Sequence, residues 1–135
     1  MPDQFDLLSI DIDGNDFWVW QRIEARPRVV LIEYNASVPP NERLSIAYDP
    51  KFTCGGSDYF GASLLALKEL GRRKGYTLVY CERAGVNAFF VANELLPRGF
   101  KPLRIEEVYR LPNYFYLGIR NPPETTRKMI DPFAV

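Results

Sequence analysis

The sequence predicts an α/β fold with a mixed sheet, in which two strands run parallel and a hairpin at the end is antiparallel. Apolar, strand-like segments at 6–12 and 28–35 flank a helical segment, and the connection between them is long enough for a parallel crossover. Further along, strand-like segments at 77–81 and 86–92 are separated by a short polar turn, which favours an antiparallel pair.

The first strand ends in a cluster of acidic residues. Its four large aliphatic residues are typical of a strand that is buried on both faces: Leu7, Leu8, Ile10 and Ile12. Asp11, Asp13 and Asp16 follow at once, with Gly14 between them. Because ligands bind at the carboxyl edge of open α/β sheets, we expect these acids to lie at the edge where a site would form.

Two helices are predicted between the strands. The first covers 15–25, with Asp13 or Asn15 as its cap, and Pro27 ends it because the residue before a proline disfavours helical geometry. The second covers about 59–74, with Ser57 or Asp58 as cap and a glycine as C-cap at position 75.

The remaining segments divide the chain into two parts. The segment 36–58 contains Pro-Pro, Asp-Pro and Gly-Gly pairs and is predicted to be a long loop, of the kind that often serves as a lid or a binding loop. We expect a partial α/β domain over 1–97. Residues 98–135, with their many prolines, form an extended tail packed on the body or on a partner, with a short helix near 105–109.

Composition excludes several kinds of protein. The 135 residues hold 17 basic and 17 acidic side chains, and this zero net charge argues against a nucleic-acid partner or an anionic membrane partner. The absence of histidine excludes catalysis by Ser-His-Asp or Cys-His and every histidine-based zinc site. Two distant cysteines and no signal peptide or membrane-length apolar run predict a cytoplasmic protein.

Three segments together carry a resemblance to a known family. Phe5-Asp6-Leu7-Leu8-Ser9-Ile10-Asp11-Ile12-Asp13-Gly14-Asn15-Asp16 resembles a fourth-strand motif that ends in Asp-x-Asp/Glu-Gly. Val29-Val30-Leu31-Ile32-Glu33-Tyr34-Asn35 is similar to the fifth strand, and Val86-Asn87-Ala88-Phe89-Phe90-Val91 to a last strand that inserts antiparallel between strands five and six. The family is the FkbM type of class I S-adenosylmethionine-dependent methyltransferases, which have a Rossmann-like fold.

The resemblance implies the carboxyl-terminal half of that fold, with the amino-terminal half absent. In the family, S-adenosylmethionine binds a glycine-rich turn after the first strand and an acidic residue after the second, and no Gly-x-Gly occurs here. The cofactor site is therefore expected to be incomplete: either the chain is a fragment or a truncated gene product, or a second polypeptide supplies the front half. The first strand would also have an unpaired apolar edge, which predicts a homo-oligomer or coverage by the tail.

The predicted site lies where the two parallel strands end. Adjacent strands are about 4.8 Å apart, so Asp11, Asp13, Glu33 and Asn35 can converge on one point, and oxygen ligands of this kind suit Mg²⁺ or Ca²⁺. Similarity to metal-dependent O-methyltransferases implies that Asp11, Glu33 and Asn35 hold the ion. Asp11, Asp13 and Glu33 are the implied catalytic residues, acting on a sugar or small-metabolite oxygen. The alternative is that these residues only cap a helix and a strand end.

Other candidates have simpler explanations. Phe17, Trp18 and Trp20 can stack on a ligand, but their helical spacing favours core packing. Gly55-Gly56-Ser57-Asp58 can cradle an anion, although the acidic Asp58 favours a cap. A second function also stays open, in which the chain is a non-catalytic half-domain that associates with a partner.

Overall fold

The sheet has four strands in the order β1-β2-β4-β3. The computed structural model describes residues 4–134. Residues 1–3 of the predicted domain 1–97 and residue 135 of the predicted tail 98–135 lie outside the described residues. Strand β1 (Leu7–Ile10) pairs in parallel with β2 (Val29–Glu33), and β4 (Asn87–Ala92) lies antiparallel between β2 and β3 (Tyr76–Cys81). The predicted α/β class, the mixed sheet, the parallel pair and the hairpin are confirmed.

Helix α1 (Asp16–Arg22) connects the parallel strands and is shorter than predicted. The chain turns extended at Ile23, ahead of the proline that was expected to end the helix. Asn15 occupies the N-cap position but makes no capping hydrogen bond, because its Oδ1 accepts from the N–H of Asp49 at 3.3 Å while its Nδ2 donates to the Asp49 carbonyl at 2.7 Å. Phe17 and Trp20 are buried, which confirms core packing for these two rings.

Helix α2 (Leu64–Lys74) begins later than the sequence predicts. Its cap is Ser63, whose hydroxyl accepts a hydrogen bond from the Ala66 N–H at 3.2 Å, so the predicted caps at Ser57 or Asp58 are wrong. The preceding residues bind other segments instead, since the Asn35 N–H donates to the carbonyl of Ala62. Gly75 is left-handed, with φ of 82°, and is the predicted C-cap.

The hairpin turn is held by one carboxylate. Glu82 accepts hydrogen bonds from the backbone N–H groups of Ala84, Val86 and Asn87 at 2.8–3.2 Å. These three N–H donors of the turn are therefore satisfied, and the two strands pair antiparallel with a register shift between Leu78 and Tyr80.

The C-terminal segment packs on the body at several points. Helix α3 (Ile105–Val108) lies where a short helix is predicted, and a 3₁₀ turn covers Asn93–Leu95. Beyond α3, Ile130 pairs with Ser45. Asp131 forms an ion pair with Arg43 at 2.6 Å. These contacts tie the segment to the long loop after β2.

Strand β1 is one of the two edge strands of the sheet, with β3 at the other edge. Within residues 4–134 it is hydrogen bonded only to β2. Ile10 is buried, Leu8 is half-buried and Leu7 is 55% exposed, so the predicted burial on both faces is wrong for this strand. An edge strand packs against fewer neighbours than a central one, which explains the difference. Over the same residues, no helix combines the length and the apolar character needed to cross a membrane.

Candidate functional site

Three of the predicted acidic residues meet at the carboxyl edge of the parallel pair. Strand pairing places Ile10 beside Ile32, so the residues that follow them leave the sheet at the same edge. Asp11, Asp13 and Glu33 each offer a carboxylate oxygen, and these oxygens lie within 4.8 Å of one another. The first two side chains are exposed and the third is half-buried. The predicted convergence of Asp11, Asp13 and Glu33 is confirmed. We call these three residues the acidic triad.

A fourth carboxylate shapes the turn that presents the triad. The side chain of Asp16 is completely buried, and it accepts hydrogen bonds from the N–H groups of Ile12 at 3.1 Å and Gly14 at 2.9 Å. Burial raises the pKa of Asp16, an effect that the backbone donors oppose. Asp13 lies between those two donors with φ of 57°, a left-handed geometry that turns the chain back toward β2. Asp16, which the sequence groups with Asp11 and Asp13, is therefore a positioning residue outside the triad.

Glu33 has the most unusual environment of the triad. Burial raises its pKa to about 8, and the negative charges of Asp11, Asp16 and Asp13 add to the rise. Its Oε2 atom is fully buried and has no hydrogen-bond partner within the described part of the chain. A desolvated carboxylate oxygen beside other acids is stabilised either by a proton or by a cation. The triad is therefore suited to hold one or the other.

Asn35, predicted as a metal ligand, has its amide engaged elsewhere. The side chain is completely buried, and its Nδ2 donates to the carbonyls of Asp58 at 2.7 Å and Phe60 at 2.9 Å. Its Oδ1 accepts a hydrogen bond from the N–H of Ser37 at 3.0 Å. The amide thus fastens the long loop to the end of β2, and we leave it out of the site proposed below.

The triad borders a cavity of about 590 Å³. Asp13 and Glu33 lie on one side of it, and Glu82 from the hairpin turn also lines it. Aromatic residues of the C-terminal segment complete the wall: Tyr114, Phe115 and Tyr116. A larger cavity of about 690 Å³ lies around Arg26, Arg28 and Glu94 and contains none of the predicted site residues.

Sequence reasoning missed the wall formed by the C-terminal segment. Tyr114 and Glu33 line the same cavity, and the pKa of the Tyr114 phenol is raised by burial first and by the negative charge of Glu33 second. These residues are more than 80 positions apart in the sequence, and no pattern in either segment predicts the contact. Two other candidate residues form hydrogen bonds within the fold. The Trp18 ring N–H donates to the carbonyl of Ile46, and Asp58 accepts a hydrogen bond from the N–H of Glu124.

The fold and the site define an α/β protein with an open mixed sheet and three carboxylates at one edge, beside an acidic and aromatic cavity. Comparison with protein-family models, with curated proteins and with solved structures gives no match.

Proposed function

We propose that the chain is the carboxyl-terminal half of a Rossmann-like, S-adenosylmethionine-dependent methyltransferase domain of the FkbM type, which methylates an oxygen of a sugar or small metabolite. The observation that carries the proposal is the strand order β1-β2-β4-β3. A last strand that enters antiparallel between its two predecessors is the arrangement that the resemblance implies. Here β4 follows β2 and β3 in the sequence, lies between them in the sheet, and pairs antiparallel with both.

The acidic triad is the proposed acceptor site. Asp13, from the turn after β1, and Glu33, at the end of β2, line the cavity, and Asp11 has a carboxylate oxygen within 4.8 Å of theirs. Carboxylates at this edge can accept hydrogen bonds from the hydroxyl groups of an acceptor and orient the reacting oxygen. With a pKa of about 8, Glu33 also lies in the range where a carboxylate can take up a proton from that oxygen near neutral pH.

The donor set fits a divalent cation. It offers three carboxylates with oxygens within 4.8 Å of one another, and the Oε2 of Glu33 has no partner among the described residues. Mg²⁺ prefers oxygen ligands, and such an ion would supply charge that favours the deprotonated acceptor oxygen. Asp11 and Glu33, with Asp13, are the residues that would hold it.

The cofactor site requires residues from another segment. No Gly-x-Gly motif occurs in the sequence, and the open edge of β1 is where a further strand can pair. We propose that a second polypeptide pairs there, either another copy of this chain or a chain that supplies the front half. Both cysteines are free, which supports the proposed cytoplasmic location.

Calorimetry tests the cation site. Titration of Mg²⁺ into the wild-type chain is expected to give a saturable heat that Asp11→Asn reduces at least tenfold in affinity. Asp6→Asn is the matched control, because Asp6 is exposed and lies at the other end of β1. Equal and negligible heats for all three chains would remove the cation from the proposal.

A second calorimetric titration tests the cofactor. S-adenosylmethionine is expected to bind poorly to the isolated chain and to bind a longer chain that includes a glycine-rich strand-and-turn unit ahead of β1. Failure of both to bind would exclude the methyltransferase function.

The alternative function is a non-catalytic module that binds a partner through β1. The exposed side chain of Leu7 on an unpaired strand favours it. Sedimentation analysis is expected to show an oligomer that Leu7→Lys dissociates, since charged residues on an edge strand oppose pairing. A monomeric wild-type chain at high concentration would exclude self-pairing through this edge.

A further inference from the structure

A hairpin in the C-terminal segment presents a row of apolar side chains to solvent. Its base is closed by the pairing of Tyr114 with Ile119 and by a hydrogen bond of 2.7 Å from the Gly118 N–H to the Asn113 side chain. Between these points Phe115 is 81% exposed, Tyr116 65% and Leu117 74%. We call residues 113–119 the apolar hairpin.

Two of these exposed residues have an unusual backbone geometry. Phe115 and Tyr116 both have left-handed geometry, with φ of 56° and 58°, which large L-residues rarely adopt. The conformation is therefore unfavourable for the residues that adopt it, and they gain little burial in return. Exposed apolar patches of this kind commonly mark a binding surface.

Three exposed arginines lie near the base of the hairpin. Arg110 precedes it and Arg120 follows it, and both side chains are exposed. Arg83 lies in the β3–β4 turn, where the neighbouring Ala84 carbonyl accepts a hydrogen bond from the N–H of Asn113. Among the described residues none of these three arginines forms an ion pair.

The zero net charge of the chain conceals this asymmetry. Residues 98–135 contain seven basic and four acidic side chains, so this segment is net positive and the rest of the chain is net negative by the same amount. Some acids do lie nearby in the cavity. Asp13, Glu33 and Glu82 line it, and the carboxylate of Glu82 is held by three backbone N–H groups.

The size of the patch distinguishes between two kinds of partner. Covered aromatic side chains bury about 150–250 Å² each, so the three side chains of the hairpin tip, at 81%, 65% and 74% exposure, can bury at most about 550 Å². A standard protein interface takes about 800 Å² from each partner, which is more than the tip offers. A narrow apolar tip with exposed arginines near its base instead matches the interfacial region of a membrane, where apolar groups insert and cations meet anionic headgroups.

We propose that the apolar hairpin inserts into the interfacial region of an anionic lipid membrane, with Arg83, Arg110 and Arg120 contacting the headgroups. This inference is independent of the methyltransferase function. It replaces the expectation, based on net charge alone, that no membrane partner exists. Because the hairpin also lines the cavity beside the acidic triad, the docked chain would hold that cavity at the membrane surface.

Vesicle cosedimentation tests the proposal. The wild-type chain is expected to sediment with vesicles of phosphatidylcholine and phosphatidylserine, and much less with phosphatidylcholine alone. Phe115→Ser with Leu117→Ser is expected to abolish binding. Arg110→Gln with Arg120→Gln is expected to lower the affinity for these vesicles by about fivefold for each arginine that contacts the surface. The same substitutions are expected to reduce the salt dependence of binding.

Leu95→Ser is the matched control, because Leu95 is 48% exposed and follows the end of β4 that is remote from the β3–β4 turn and the apolar hairpin. It is expected to bind vesicles as the wild-type chain does, and circular dichroism verifies that all variants are folded. Absence of wild-type binding, or full binding by the Phe115/Leu117 variant, would overturn the proposal. So would self-association in the absence of lipid that the same double substitution abolishes, since the hairpin would then be a protein contact.

Discussion

Replacement of Glu33 by glutamine is expected to remove a pH dependence of stability. Burial and neighbouring acids raise the pKa of Glu33 from 4.5 to about 8 in the folded chain. Between these two values the folded state keeps a proton that the unfolded state has lost, so the free energy of unfolding falls as the pH rises toward 8. Glutamine resembles the protonated acid in shape and cannot ionise. The variant should therefore lack this loss.

The magnitude follows from the pH interval. Between pH 6 and pH 9 the folded state loses its proton mainly near pH 8, and 1.36 kcal/mol for each pH unit gives an upper limit of about 2.7 kcal/mol. Glu33 is only partly buried, and solvent screening reduces the effect, so we expect about 1–1.5 kcal/mol. Carboxylates with lowered pKa values, such as those of Glu69 and Glu94, titrate below this interval and do not contribute.

Urea denaturation at pH 6, 7, 8 and 9 measures this effect. The quantity to compare is the change in unfolding free energy of the wild-type chain minus that of Glu33→Gln, which cancels groups that titrate in both. Glu42→Gln is the control, because Glu42 is an exposed carboxylate outside the triad. Parallel pH profiles for the wild-type chain and Glu33→Gln would refute the assignment of a desolvated, charge-coupled carboxylate at this position.

The other predictions concern stability and are measured by denaturation. Asp16→Ala should destabilise the chain by about 2 kcal/mol, because two backbone N–H groups of the turn lose their acceptor; an unchanged stability would contradict its positioning role. Gly71→Ala should cost about 1 kcal/mol, since a Cβ there would lie 2.9 Å from the ring of Phe90 and the resulting strain exceeds the gain in helix propensity. Gly85→Ala should cost about 3 kcal/mol, because φ is 70° and a Cβ would lie 2.4 Å from a backbone carbonyl oxygen of the C-terminal segment. Gly75→Ala, with φ of 82° but only a flexible arginine side chain nearby, should cost about 1 kcal/mol. Equal losses of stability for Gly75→Ala and Gly85→Ala would contradict the role of the rigid backbone contact at Gly85.

The edges of the predicted elements show where local patterns fail. Helix α2 was expected to begin near 59, since its apolar spacing and the polar residues at 57 and 58 fit a helix start. Long-range hydrogen bonds use that segment instead, and the helix begins only after Ser63. Helix α1 ends early for a comparable reason: Lys74 of α2 donates to the carbonyl of Ile23 at 2.7 Å, and that residue is extended.

Part of the candidate site was also accessible to local reasoning. Parallel pairing brings the ends of neighbouring strands to one edge, so acids directly after those strands must approach each other. The roles of Asp16 and Asn35 could not be predicted in this way. Both side chains are polar, and their burial depends on backbone groups that only the folded chain places beside them.

The sequence by itself determined the strands, the parallel pair, the hairpin and the meeting of Asp11, Asp13 and Glu33, because hydrophobic periodicity and strand pairing are local rules that need little further information. Only the tertiary structure decided the raised pKa of Glu33, the aromatic wall of the cavity and the exposed apolar hairpin. Each of these depends on segments far apart in the chain, whose mutual burial and charge are fixed only when the whole core has packed.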